Sequence, residues 1–212
     1  MREIKLQDKT YLFADVKDQG DVFDPYLETI QTHKIKKGKI VDIGAHYGTT
    51  ALILSDSIPN TGVVCFEAHQ GNFAILQENL DLNNLQAELH CYAIGDHNGE
   101  AYLRTMEGGS PTYRLQEEAT SITVAVRTLD SFNLTGVSFI KVDIEGAELL
   151  MLQGGIETIK KNKPVIYLEH HSDLCEKEAL YSFIESLDYE LIYLNQVGYI
   201  HGETNQYLLL PR

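Results

Sequence analysis

The chain has 212 residues, 43% of them hydrophobic, which suffices for one substantial core and makes one domain the natural count. Its 17 basic against 31 acidic residues leave a formal net charge of -14, which argues against a binder of nucleic-acid backbones. No apolar run approaches the ~20 residues of a membrane span, MREIKLQDKT lacks a signal core, and Cys65, Cys91 and Cys175 form no disulfide framework, so a soluble cytoplasmic protein with core thiols is expected.

In chain order, Thr10 to Val16 reads as a strand, Asp18 to Asp21 as a polar turn and Asp24-Pro25 as a helix start, since proline suits a first helical turn. Tyr26, Leu27 and Ile30 share one helical face through Pro25 to His33, and Gly38 can close that helix. The cluster Lys34, Lys36, Lys37, Lys39 is better explained as a solvated lead-in than as a basic binding face. Residues 1–37 thus form a strand-and-helix lead-in or lid, and residues 38–212 the main domain.

The stretch KIVDIGAHYGTT, Lys39 to Thr50, organises the rest. Lys39 to Ile43 suits a buried strand, Gly44 to Gly48 a tight turn, and Thr49 to Ser57 a helix. Strand, glycine turn and helix N-terminus open a mononucleotide-binding unit, in which glycines admit close approach of a ligand and main-chain N–H groups favour a polar or anionic group. Pro59 to Gly62 has turn chemistry and leads into a second buried strand, Val63 to Phe66, ending on Glu67. An acidic residue ~20 places beyond the glycine turn is where a ribose diol is held, and Glu67 fits that position. The plainer reading of Glu67 is a cap on the helix that begins near Gln70.

Asn72 to Asn83 is a crossover helix and Leu89 to Ile94 a third strand, with Ala93 bordering a nucleobase. After the turn cluster Gly95 to Gly99, Glu100 to Arg104 and Ser121 to Arg127 alternate as strands around a polar loop, Glu107 to Thr120. GGSPTYR inside that loop reads equally as a substrate lid or a surface loop. Val137 to Val142 is a fourth strand that runs into KVDIEGAELLMLQGG. Asp143, Glu145 and Glu148 cannot all be buried and ionised there without a ligand, a cation or hydrogen-bond donors, although acidic residues in a first helical turn explain part of the pattern, Glu148 first.

The helix continues over Gly154 to Lys161 after a glycine break, and Pro164 starts a fifth strand, Val165 to Leu168, followed by Glu169-His170-His171. A histidine at such a strand edge either exchanges a proton near neutral pH or shapes the loop. Asp143 with Glu169 or His170 also offers a donor set for a divalent cation, a less favoured reading because sequence does not fix their convergence. Asp173 to Leu187 is a helix, and Tyr189 to Leu194 and Gln206 to Leu210 are terminal strands joined by Gln196 to Asn205. With about 11 residues and no helical pattern between them, they close as an antiparallel hairpin.

VDIGAHYG, followed in order by FEAHQGNF, AIGD, TLD, FIKVDIEGAELLMLQGG and YLEHH, resembles the FkbM-type family of S-adenosylmethionine-dependent methyltransferases. The match runs from about Asp24 to Leu210, and VDIGAHYG paired with KVDIEGAE is its specific part. The resemblance implies an α/β, Rossmann-like class I methyltransferase fold: a seven-stranded, mostly parallel sheet of order 3-2-1-4-5-7-6, strand 7 antiparallel, with helices on both faces. It implies S-adenosyl-L-methionine as cofactor and methyl transfer to a hydroxyl of a sugar or other small natural-product acceptor; the charge balance and the short apolar runs argue separately against a nucleic-acid or membrane partner.

Carried over by position, Asp42, Gly44, Ala45, His46 and Gly48 would surround the methionine part, Glu67 the ribose, Ala68 and Ala93 the adenine, and Asp143 the amino group or the transferred methyl. His46 departs from the central glycine of the general methyltransferase pattern, and Ala68-His69-Gln70 replaces a proline-containing turn. His170 is the expected base, with Asp143 or Glu145 orienting the acceptor, and no metal ligand is assigned. Two rival readings are a nicotinamide-dependent oxidoreductase, against which Asp42 and the reversed hairpin stand, and a non-catalytic cofactor-binding module.

Overall fold

Short apolar runs with alternating burial build the centre of the molecule. The computed structural model describes residues 2–6, 9–14, 33–105, 113–116, 122–171, 175, 177–199 and 202–212. Its elements are β1 (Arg2–Leu6), β2 (Lys9–Phe13), β3 (Gly38–Ile43), α1 (Thr49–Ser57), β4 (Asn60–Phe66), α2 (Gln70–Leu82), β5 (Ala87–His90), β6 (Ala93–Ile94) and β7 (Gly99–Thr105). There follow β8 (Tyr113–Gln116), β9 (Ile122–Arg127), a 3-10 turn over Leu129–Phe132, β10 (Val137–Val142), α3 (Glu148–Gly154) and α4 (Ile156–Asn162). The chain ends with β11 (Val165–His171), α5 (Lys177–Ser186), β12 (Tyr189–Tyr199) and β13 (Gly202–Pro211).

Seven strands form the main sheet in the order β5-β4-β3-β10-β11-β13-β12. Numbered within this sheet the order is 3-2-1-4-5-7-6, and β13 runs antiparallel to both of its neighbours while the other pairs are parallel. The sheet is thus the class I methyltransferase arrangement. Period-two alternation assigns its faces. Ile40, Val63, Cys65, Phe139 and Tyr167 pack with residues of α1 and α2. Val41, Val64, Ile140, Val142 and Leu168 pack with residues of α3, α4 and α5. A fully buried aliphatic side chain contributes roughly 1.5–3 kcal/mol, so these runs fix strand register firmly and any charge among them needs its own partner. By the same alternation Asp42, Lys141 and Glu169, all buried, lie on the α1 and α2 face.

A second sheet, β6-β9-β7-β8, leaves the main one after β5 and packs Ala93, Leu103, Val124 and Val126 together. The β1–β2 hairpin closes over α1 and α2: Tyr11 and Phe13 are buried there, Ala14 N–H donates to Asn79 Oδ1 at 2.7 Å, and Leu12 exchanges two bonds with the Asn83 amide. Among the described residues no helix is long and apolar enough to cross a membrane, and the three cysteines are free.

Several boundaries differ from those expected. The Leu89–Ile94 run is two strands, because β5 ends where Glu67 N–H binds His90 O and Ala93-Ile94 pairs with β9 instead. The Pro59 to Gly62 turn is mostly strand, and β1 is a strand that sequence reading missed. Part of the polar loop is β8, paired with β7. The long terminal connection is almost all strand, since β12 and β13 stay paired out to Tyr199 and Gly202. Strand β11 runs three residues further, through His171, because β13 pairs Glu169 with Gln206, His170 with Asn205 and His171 with Thr204. The turn at Asp18 to Asp21 and the helix at Pro25 to His33, apart from His33 itself, lie outside the described residues.

Candidate active site

The glycine turn after β3 folds onto the end of β4. Gly44 and Ala45 both donate to Phe66 O, at 3.0 and 2.9 Å, His46 N–H donates to Glu67 Oε2 at 2.9 Å, and Gly48 N–H binds Ala45 O at 2.8 Å. These four donors are spent within the protein, which leaves the first N–H groups of α1, at Thr49 and Thr50, as the main-chain donors on the cavity side. The glycines answer to neighbours as well: Gly44 has φ 77° and a Cβ there would sit 1.9 Å from Asp143 O, while one on Gly48, φ 83°, would meet Leu76 Cδ1 at 2.7 Å. His46 holds the same left-handed region at φ 49°.

Beside this turn is a cavity of about 250 Å³ at the carboxyl edge of β3, β4 and β10. Gly44, Ala45, His46, Glu67, Ala68, Ala93, Asp143 and Glu145 line it, which brings together most of the residues singled out in the sequence. Phe66, Tyr92, Ile94 and Leu103 add an apolar wall, with the Arg127 guanidinium 5.1 Å from the Tyr92 ring centre. Glu67 is the fixed polar point of that wall. Its Oε1 accepts from His69 N–H at 2.8 Å and its Oε2 from His46 N–H, so both strand-end loops orient it. Burial pushes its carboxyl up, and the two N–H donors oppose that rise. Helix α2 is capped by His69 Nδ1, which accepts from Asn72 N–H, and not by Glu67.

Asp42 and Gly48 are not in the cavity wall. Asp42 is wholly buried and faces a cation of the protein itself: Lys141 Nζ lies 3.4 Å from Asp42 Oδ1 and 3.4 Å from Asp143 Oδ2, and donates to Gly44 O at 2.9 Å. Burial alone would lower the Lys141 pKa, but Asp42, Asp143 and Glu169 together raise it, so the ammonium persists. Burial would likewise raise Asp143, yet Lys141 and His171 hold it below the usual carboxylate range. Lys141 was not singled out by sequence reading. The signal was present, since a lysine within FIKV, an apolar strand, demands a buried partner.

The end of β11 places His170, the expected base, apart from the cavity and its neighbour His171 beside the carboxylates. His170 is fully buried, its Nε2 donates to Cys175 O at 2.9 Å, and its ring neighbours are Tyr181 and Tyr207, away from the cavity. His171, one position on, meets the carboxylates: Nδ1 is 2.8 Å from Glu148 Oε1, and Nε2 is 3.4 Å from Glu145 Oε2 and 3.8 Å from Asp143 Oδ1. Burial lowers the His171 pKa, but the Glu148 bond and the charges of Asp143, Glu148 and Glu145 outweigh it and raise it to about 9. His46, on the other side of Asp143, is pushed down to about 4, chiefly by burial. Glu148 Oε1 also accepts from Gly146 N–H at 2.9 Å, so its expected helix-start role is joined by a bond to His171. Glu169 is buried beside Lys141 and is outside the cavity lining.

Comparison with known proteins gives the family and the fold. Residues 42–200 match the Methyltransferase FkbM domain. Methyltransferase 1 of Beauveria bassiana (strain ARSEF 2860) is 25% identical over 142 residues, 54% of this chain and 57% of that protein. The chain resembles the crystal structure of methyltransferase FkbM from Methylobacillus flagellatus KT, TM-score 0.59 at 22% identity, over 81% of this chain and 43% of that one. It resembles precorrin-6y C5,15-methyltransferase from Geobacter metallireducens GS-15, TM-score 0.58 at 13% identity, over 94% of each chain. TrmK of M. capricolum, in complex with S-adenosyl-homocysteine, gives TM-score 0.53 at 11% identity over 89% of this chain and 69% of that one. The chain spans 57% of the curated relative and 43% of the FkbM structure, and these structural likenesses concern the fold. With three quarters of its length inside the matched domain, the chain belongs to the FkbM methyltransferase domain family.

Proposed function

We propose that the chain is an S-adenosyl-L-methionine-dependent methyltransferase that acts on a hydroxyl of a small acceptor, a sugar or another natural product. The observation that carries the cofactor assignment is the Glu67 carboxylate, exposed to the cavity at the end of the second core strand and oriented by two main-chain N–H groups. Each oxygen retains lone-pair capacity for a ribose hydroxyl. Phe66, Ala68, Tyr92, Ala93 and Leu103 form a wall suited to a purine, and Gly44, Ala45, His46 and Asp143 border the end that would receive the methionine part. Spent N–H groups in the glycine turn count against a pyrophosphate ligand and hence against the oxidoreductase reading.

Bound there, the cofactor supplies an electrophilic sulfonium methyl. The protein's part is to hold an acceptor oxygen in line and to take up the hydroxyl proton. That work falls to the polar end of the cavity, where Asp143 and Glu145 line the wall and His171 bridges them. His170, buried against Cys175 and two tyrosines, is relieved of the role of base. Incubation of the full chain with ¹³C-methyl-labelled cofactor and a panel of hydroxylated acceptors, read by NMR, should yield an O-methyl product. Cofactor binding with no transfer to any acceptor would instead favour a non-catalytic binding module.

A further inference from the structure

We propose that Asp143, Glu145 and His171 bind one divalent cation of the kind that accepts both carboxylate oxygen and imidazole nitrogen, such as Mn²⁺. One ligand atom from each of the three lies within 4.8 Å of the other two. Ligands about 2.1 Å from one octahedral ion stand ~3.0 Å apart when adjacent and ~4.2 Å when opposite, so three donors within 4.8 Å of one another need close only slightly to share an ion. His171 Nε2 stands 3.4 Å from Glu145 and 3.8 Å from Asp143, too far for well-formed hydrogen bonds to both.

Two further observations point the same way. Behind the cluster, the fully buried Glu148 carboxylate takes His171 Nδ1 at 2.8 Å, which fixes the ring and presents Nε2 to the space, the outer support that metal-binding histidines ordinarily have. The other oxygen of Glu148 is buried and has no hydrogen-bond partner among the described residues. An excess of carboxylate also gathers here: Asp42 and Asp143 share Lys141, and Asp143, Glu145 and Glu148 all stand against His171. A divalent cation would neutralise that excess with a mixed oxygen and nitrogen donor set.

Because Asp143 and Glu145 also line the cavity, the cation would stand where an acceptor hydroxyl enters, and its catalytic use rests on the methyltransferase reading. Its chemistry there would be to bind the acceptor oxygen and favour loss of the hydroxyl proton to water.

The test is titration of the metal-free full chain with Mn²⁺ alone, reading free Mn²⁺ by electron paramagnetic resonance. One ion per chain is expected, with Glu145→Gln and His171→Asn each weakening uptake at least tenfold and Glu148→Gln about 10–100-fold. Glu145 is half-buried and its glutamine keeps the side-chain volume, so that variant should remain folded, as thermal unfolding will show. Failure of the parent chain to take up Mn²⁺, or equal uptake by Glu145→Gln, overturns the site. S-adenosylhomocysteine calorimetry on the same samples separates the two readings: its binding without Mn²⁺ uptake removes the cation alone, and Mn²⁺ uptake without it removes the methyltransferase and leaves the cation site standing.

Discussion

The two walls of the cavity settle their charge in different ways. On the β3–β4 wall, Glu67 is held by main-chain N–H groups that the fold supplies unaided. On the β10–β11 wall, Asp143, Glu145 and Glu148 crowd around His171 and the lysine that Asp143 shares with Asp42. The first wall thus holds one carboxylate with neutral donors, whereas the second sets several carboxylates against two cationic side chains, the proposed ligands being a ribose diol and a divalent cation. Lys141 joins the two walls, since one ammonium binds Asp42, Asp143 and the Gly44 carbonyl of the glycine turn.

Breaking that junction should have the largest effect. Lys141→Met strands Asp42, which is fully buried, and is expected to cost about 3–5 kcal/mol in urea unfolding. Replacing Asp42 by leucine in the same chain should recover a large part of it, and no recovery would mean that the pair is not the source of the loss.

A smaller effect distinguishes the two histidines that flank Asp143. Folding depresses the His46 pKa to about 4 from an ordinary 6.5, so its contribution is whole above pH 6.5 and is lost as pH falls through about 4. His46→Asn tolerates the left-handed backbone and should flatten the loss of stability between pH 7 and pH 4 by about 2 kcal/mol. An unchanged slope would place the acid sensitivity elsewhere. His171 titrates with the opposite sign: its raised pKa stabilises below pH 6.5, and that contribution fades as pH rises through about 9.

The smallest effect sharpens the contrast of His170 with His171 at the end of β11. His170→Leu removes one hydrogen bond, to Cys175 O, and should cost about 1 kcal/mol in thermal unfolding. Mn²⁺ uptake should be the same as in the parent chain, and a loss of uptake would return His170 to the site.

Individual elements and the glycine turn were legible because burial writes them locally, and Thr49 to Ser57 and Val137 to Val142 have the expected bounds to the residue, whereas the sheet order was implied by the family resemblance. Long-range pairing is what sequence patterns hid. Glu169-His170-His171 looks like a polar strand end, but β13 pairs all three residues, and this extra length decides which histidine meets Asp143. The split of Leu89 to Ile94 has the same origin, since β9 draws Ala93 and Ile94 out of an apolar run. Asp42 was expected beside the methionine part of a cofactor, and its partner in the structure is Lys141, which the pairing of β3 with β10 places opposite it.

The central claim, that the β3–β4 wall receives an adenosyl ligand through Glu67, is tested most directly by calorimetric titration of the full chain and Glu67→Ala with S-adenosylhomocysteine and with NAD. S-adenosylhomocysteine should bind and NAD should not, with a loss of roughly 100-fold or more in affinity in the variant, from two hydrogen bonds to a charged group. Binding of NAD in preference, or equal affinity in Glu67→Ala, would contradict it.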